Sequence, residues 1–241
     1  MLKRASYALL AVAPLVLLAD CGSSENNATD DAGAGTGASS GACSYPSAGQ
    51  ATKPVKAPPS TPTQSGDVAV TMKTSAGDIA LTLNADSAPC TVNSFVSLAK
   101  QGYFDDTSCH RLTTAASGIA VLQCGDPTGT SQGGPGYSFA DELDSANALE
   151  TDKKASAQMG STYKTYPAGT VAMANGGPGT NGSQFFLVYA DSPLQPNYTV
   201  FGTIAPAGLT VLHQVAQAGT ADGGVDGAPK TPVKISAVSV G

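Results

Sequence analysis

From Val68 onward the sequence breaks into short apolar runs separated by glycine-rich turns, and that punctuation excludes most architectures. Residues 68–72 and 78–83 alternate or cluster apolar side chains around the turn Ser75-Ala-Gly77, which predicts the two strands of a hairpin. Further strand-like runs follow at 109–112, 119–123, 170–174, 184–189, 199–204 and 233–240. Helical spacing occurs twice. Pro89 opens a stretch in which Val92, Phe95, Val96, Leu98 and Ala99 recur before Gly102, and residues 209–218 carry Leu209, Leu212, Val215 and Ala216 on one stripe before Gly219. Many short strands with only two helices are best accommodated by a mainly β, closed antiparallel barrel with capped ends, because closure removes unpaired edges.

The 241 residues are 41% apolar and 12% charged, enough for one domain with a substantial core. Net charge is −6, and lysine and arginine nowhere cluster, which excludes a phosphate-tracking nucleic-acid surface. At the N-terminus, Lys3 and Arg4 precede an apolar run over 5–19 that is too short to span a bilayer and predicts an export signal over 1–20. It ends in Leu18-Ala-Asp-Cys21, which resembles the lipobox of bacterial lipoproteins, with Asp20 where glycine, alanine or serine is usual. Cys21 is therefore a lipidation candidate. One acyl chain binds a membrane only marginally, but such cysteines normally carry more than one. The expected location is the outer face of the cytoplasmic membrane or the cell envelope. Residues 21–66 are rich in Gly, Ser, Ala, Thr and Pro and read as a flexible tether, with an r.m.s. reach on the order of 35 to 40 Å, leaving 67–241 as the folded domain.

Four further cysteines, Cys43, Cys90, Cys109 and Cys124, make disulfides the natural reading for an exported chain, with three pairings open. None shows CxxC spacing and the histidines are His110 and His213 alone, so no metal site is expected. The densest local signal is Met173-Ala-Asn-Gly-Gly-Pro-Gly-Thr-Asn-Gly-Ser-Gln-Phe-Phe186. It is no phosphate loop, because no Gly-Lys-Ser/Thr follows and it enters a strand rather than a helix. Ser183 lacks a nucleophile elbow, and Cys109 and His110 would point to opposite faces of a strand, so neither makes a hydrolase nucleophile.

That glycine-rich string resembles the cyclophilin signature almost letter for letter, and His110-Arg111, Gln123-x-Gly-Asp126, Gly133-Gly134 and Val200-Phe-Gly202 fall in the family's order. The resemblance covers about 67 to 241. It implies an eight-stranded antiparallel barrel capped by two α-helices, and catalysis of cis/trans isomerisation of the bond before proline. That bond has an uncatalysed barrier of roughly 20 kcal/mol. No covalent bond breaks, so the chemistry calls for no nucleophile, metal or cofactor, only groups that bind the twisted amide better than the planar one.

By its motifs the resemblance makes Arg111 the group aimed at the proline nitrogen, with Gln123 orienting it and Phe186 as the floor of the proline pocket. Val121 and Leu194 become pocket walls, Gln184 a second orienting amide, and Ala174 and Asn175 backbone partners of the residues before proline. Tyr198 stands where many members have histidine. Proline-containing peptides and unfolded exported chains are the implied partners. Three departures stand out. Ala120 occupies the place of a pocket aromatic, which leaves a weak or inactive peptide-binding module as a second reading. Pro193 replaces the tryptophan that contacts cyclosporin, so poor cyclosporin binding is expected. Residues 142–167 are longer than in compact members and read as a solvated insertion with a short helix near 152–158. The loop at 113–120 also differs in length and sequence from the family's usual turn, and Cys109 and Cys124, on the two strands flanking it, could sit opposite one another, leaving Cys43 for Cys90.

Overall fold

The structure is a computed structural model that describes residues 41–241, which form one compact unit. The expected export signal, the Cys21 lipidation site and the first half of the expected tether lie outside the described residues.

In chain order the elements are β1 (Asp67–Thr74), β2 (Gly77–Asn84), α1 (Pro89–Lys100), β3 (Thr107–Cys109), β4 (Arg111–Thr113), β5 (Ala120–Cys124), α2 (Asp144–Asn147) and α3 (Lys153–Met159). Then follow β6 (Lys164–Tyr166), β7 (Thr170–Met173), β8 (Phe185–Ala190), β9 (Ser192–Leu194), β10 (Val200–Ile204), α4 (Pro206–Ala218), β11 (Asp226–Gly227) and β12 (Val233–Val240). The expected hairpin and both long helices are present. The run expected at 109–112 is interrupted at His110.

That interruption organises the sheet. β3 pairs with β12, while β4, one residue further on, pairs with β5. Between these edges the order runs β5, β8, β7, β10, β2, β1, β12, so one continuous run of chain supplies both ends and the sheet curls back on itself. Counting β3 and β4 as one strand and setting aside the two-residue β11 at the edge gives the eight expected from the family pattern. Alternation sorts the side chains: Leu81, Leu83, Leu112, Leu122, Phe185, Leu187 and Phe201 fill the interior, where Phe95 of α1 meets Phe185 edge-on at 5.3 Å. The short helices α2 and α3 and strand β6 belong to the 142–167 insertion, which β6 ties to the domain by pairing with β9.

α1 cannot cap itself, because Ala88 precedes it and offers no side-chain acceptor. Glu142 reaches in from the insertion instead. Its carboxylate accepts from the amides of Cys90 and Thr91 at 2.9 and 2.8 Å and from the Thr91 hydroxyl at 2.7 Å. A carboxylate on the free amides of a helix start satisfies donors and complements the helix dipole together. Glu142→Ala is expected to cost about 2 kcal/mol, a fall in Tm of roughly 4 to 8 °C in a thermal melt. A shift below about 1 °C would show that water satisfies those amides equally well.

The tether expectation does not hold for its second half. Cys43 is disulfide-bonded to Cys90, Ser47 bridges Tyr137, and Ala48 and Thr52 donate to the carbonyls of Gly136 and Gly134 at 2.9 and 3.0 Å. Lys53 Nζ donates to the Asp105 carbonyl at 2.7 Å, and Asn93 Nδ2 to that of Pro59 at 2.8 Å. Residues 43–60 thus form a strap across the domain. A segment too poor in apolar residues to fold alone is ordered here by backbone hydrogen bonds, a covalent link and Tyr45, which packs edge-on against Tyr137 and Phe139. Burial pushes the Tyr45 phenol up to about 12.

Candidate active site

Strand register aligns the key side chains. Arg111 on β4 lies opposite Gln123 on β5, Gln123 lies opposite Phe186 on β8, and Phe186 lies opposite Ala172 on β7. Directly opposed residues share one face of a sheet, so this row lies on the outer surface of the curled sheet while Leu112, Leu122 and Phe185 point inward. Phe185 lies in the core and Phe186 on the opposite, outer face.

The row opens into a groove of about 660 Å³. Arg111, Val121, Gln123, Ala174, Asn175, Gln184, Phe186, Leu194 and Tyr198 all line it. Ala120 does not. It is buried at 1% exposure in the interior cluster, its amide held by Ser192 Oγ at 2.9 Å, and β5 alternation hands the groove positions to Ile119 and Val121. Ala120 is therefore not a wall of this groove, and Ile119 and Val121 stand on that side of it.

At the apolar end, Phe186 is 6% exposed and meets Tyr198 edge-on with ring centroids 5.5 Å apart. Behind them sits Tyr166, fully buried, its hydroxyl donating to the carbonyls of Gln195 and Tyr198 at 3.2 and 3.3 Å. Burial pushes the Tyr166 phenol up to about 12. Tyr166 and Ala146 come from the insertion, which is thus only partly solvated, since one side of it backs the pocket. Nothing local in the sequence marked Tyr166.

At the polar end a chain of hydrogen bonds fixes the amides. Arg111 Nη1 donates to Gln123 Oε1 at 3.1 Å, Gln123 Nε2 to Gln184 Oε1 at 2.9 Å, and Gln184 Nε2 to the Gly133 carbonyl at 3.0 Å. The loop that presents Gly133 is built by Asp126, whose buried carboxylate accepts from the Thr128 amide and hydroxyl, both at 2.8 Å, and the Thr130 amide at 3.1 Å. A Cβ on Gly133 would collide with that carboxylate, and one on Gly125, whose φ is +90°, with the Ser183 carbonyl. The Ala174 amide is taken by the Gln184 carbonyl at 2.9 Å and is not free for a peptide.

Two contributions escaped the sequence. Ala48 and Gln50 of the strap line the far end of the groove beside residues 133–138. Asp226 on β11 accepts from Arg111 Nε and Nη2 at 2.8 and 2.7 Å. Arg111 carries the only charge among the described residues that line the groove. Both expected disulfides, Cys43–Cys90 and Cys109–Cys124, are present. Cys109 is thereby removed as a nucleophile, and burial pushes the neighbouring His110 imidazole down against the pull of Asp126.

Comparison with known proteins agrees with this geometry. A family model described as "Cyclophilin type peptidyl-prolyl cis-trans isomerase/CLD" matches residues 69–240. "Probable peptidyl-prolyl cis-trans isomerase B" of Mycobacterium tuberculosis (strain ATCC 25618 / H37Rv) is 53% identical over 199 residues, covering 81% of this chain and 63% of that protein. The protein of the same name from Mycobacterium leprae (strain TN) is 51% identical, covering 81% and 65%. Among solved structures, a cyclophilin type peptidyl-prolyl cis-trans isomerase from Cryptosporidium parvum, crystallised in the presence of dipeptide ala-pro, matches with a TM-score of 0.56. It is 27% identical, and the match covers 72% of this chain and 98% of that one. The chain belongs to the cyclophilin-type peptidyl-prolyl cis-trans isomerase family. It spans under two thirds of the length of the two mycobacterial relatives.

Proposed function

We propose that this protein is a peptidyl-prolyl cis-trans isomerase that acts on Xaa-Pro bonds of exported chains. The observation that carries the reading is the register that sets Arg111, Gln123 and Phe186 side by side across three strands over one groove. Phe186, Tyr198, Val121 and Leu194 enclose a proline ring, and the Ala174 carbonyl and the Asn175 backbone engage the residues before it. Arg111 directs its free donors at the proline nitrogen, whose lone pair localises as the amide twists and loses resonance. A donor fixed in advance stabilises that state without reorganising, which lowers the barrier.

A binding module without useful catalysis drew its support from an alanine in the pocket wall, and Ala120 faces the interior instead. Pro193, on β9 beside Leu194, supports poor cyclosporin binding. The test is a protease-coupled isomerisation assay on an Xaa-Pro peptide. The native chain is expected to exceed Arg111→Ala, and equal rates would sink the reading.

We further propose that the protein is exported and held at the membrane through Cys21. Lys3, Arg4 and the apolar run after them support export, as do two disulfides, which persist in oxidising compartments. Mass spectrometry of the mature N-terminus is expected to show a diacyl-type adduct on Cys21, and an unmodified Cys21 would remove the anchor.

A further inference from the structure

A guanidinium has five N–H donors. In Arg111 three are engaged within the protein, two by Asp226 and one by Gln123, which leaves one on each terminal nitrogen for a peptide. Without Asp226, a long side chain that is 37% exposed would be held by one hydrogen bond, to the neutral Gln123 amide.

Asp226 does not rely on Arg111 for its own place. β11 pairs with β4 through Asp226 opposite Thr113 and Gly227 opposite Leu112, and the Thr114 amide donates to the Val225 carbonyl at 2.8 Å. The surrounding loop holds itself: Thr220 Oγ1 donates to the Gly224 carbonyl at 2.7 Å, and the Ala221 amide to that of Ala228 at 2.8 Å. Register then places Asp226 on the same sheet face as Arg111, one diagonal step away.

We propose that Asp226 is a positioning residue for isomerisation, fixing the plane of the Arg111 guanidinium so that its two unengaged donors face the groove. The inference rests on the isomerase reading. The peptide's ground-state affinity comes from the apolar pocket, whereas Arg111 acts on the twisted amide. Loosening the guanidinium therefore lowers kcat and leaves KM nearly unchanged. In the native pair the carboxyl of Asp226 is held below the ordinary carboxylate value by the donors of Arg111, so the pair is intact near neutral pH.

The experiment compares the native chain, Arg111→Ala, Asp226→Asn and Asp226→Glu, with kcat and KM separated by NMR exchange measurements across Xaa-Pro peptide concentrations and with folding checked by thermal melt. Asp226→Asn is expected to lower kcat by about 10- to 100-fold with KM within about threefold, because a bidentate charge-assisted contact is lost. Asp226→Glu is expected to recover part of the loss. The Arg111 Nε proton, which is bonded to Asp226 in the native chain, is expected to exchange faster in Asp226→Asn. An unchanged kcat in Asp226→Asn overturns the inference. A raised kcat overturns it too, showing that the carboxylate withholds Arg111 from substrate, and so does a KM rise that matches the loss in kcat. A native chain no faster than Arg111→Ala overturns the isomerase reading itself, whatever Asp226→Asn does.

Discussion

Replacing Arg111 with alanine is expected to lower kcat/KM for an Xaa-Pro peptide by about 100- to 1000-fold, the usual consequence of removing a preorganised donor from a developing charge. Arg111 carries the only charge among the described groove-lining residues, and its partners occupy three of its five donors in fixed directions. No other cation among the described groove-lining residues can take its place. The change should cost little in folding, because the Arg111 and Asp226 side chains are 37% and 45% exposed and a solvent-screened pair contributes about 1 kcal/mol or less. A melt within a few degrees of native, together with the rate loss, would separate catalysis from stability. Arg111→Lys sharpens the test, since it keeps the charge and loses the planar fork. An intermediate rate would assign part of the effect to charge alone, and a rate equal to that of Arg111→Ala would assign it all to the fork. A rate for Arg111→Ala within about threefold of native would remove Arg111 from the chemistry and leave the pocket to act by binding alone.

How far the sequence could anticipate this site depends on the range of the interactions. Alternation within β5 and β8 is a local property, and it sorts Val121, Gln123 and Phe186 to one face and Leu122 and Phe185 to the other. Register across β4, β5 and β8 is not local, but the order of the motifs conveyed it. Ala120 shows where motif transfer fails. It matches a pocket aromatic by position in the sequence, yet the register shifts between Ala120 and Val121, and Ile119 takes the groove place. Asp226 lies 115 residues from Arg111 within Ala221-Asp-Gly-Gly-Val-Asp-Gly227, a string that reads as an ordinary turn. Only the pairing of β11 with β4 gives it meaning. The strap was hidden for a different reason. Its order comes from what it docks on, and composition reports only what a segment can bury by itself.

The strap carries the second large expectation. Replacing Cys43 and Cys90 together with serine is expected to cost about 3 to 4 kcal/mol, given the 47-residue separation the bond closes, and so to lower Tm by roughly 10 °C. Cys109–Cys124 closes only 15 residues, and it joins β3 and β5 where the His110 amide already donates to the Gln123 carbonyl at 3.0 Å. Its removal should therefore cost less. The two losses should also differ in location. Without the Cys43 link, the strap keeps only non-covalent contacts, among them backbone hydrogen bonds to Gly134, Gly136 and Ser138, the Lys53, Lys56 and Asn93 contacts and the packing and hydroxyl of Tyr45. Such peripheral, part-buried contacts open locally at less than the global unfolding cost. Amide exchange in residues 43–60 and 134–138 should thus accelerate in the double variant, while β5 and β8 stay protected. Because Ala48 and Gln50 wall the far end of the groove, peptides reaching several residues before proline should bind more weakly, and short Xaa-Pro peptides should be unaffected. Unchanged exchange in the strap would show that Tyr45 and the hydrogen bonds suffice to hold it. The covalent link would then act on the unfolded chain alone, and the groove would keep its shape in a reducing medium.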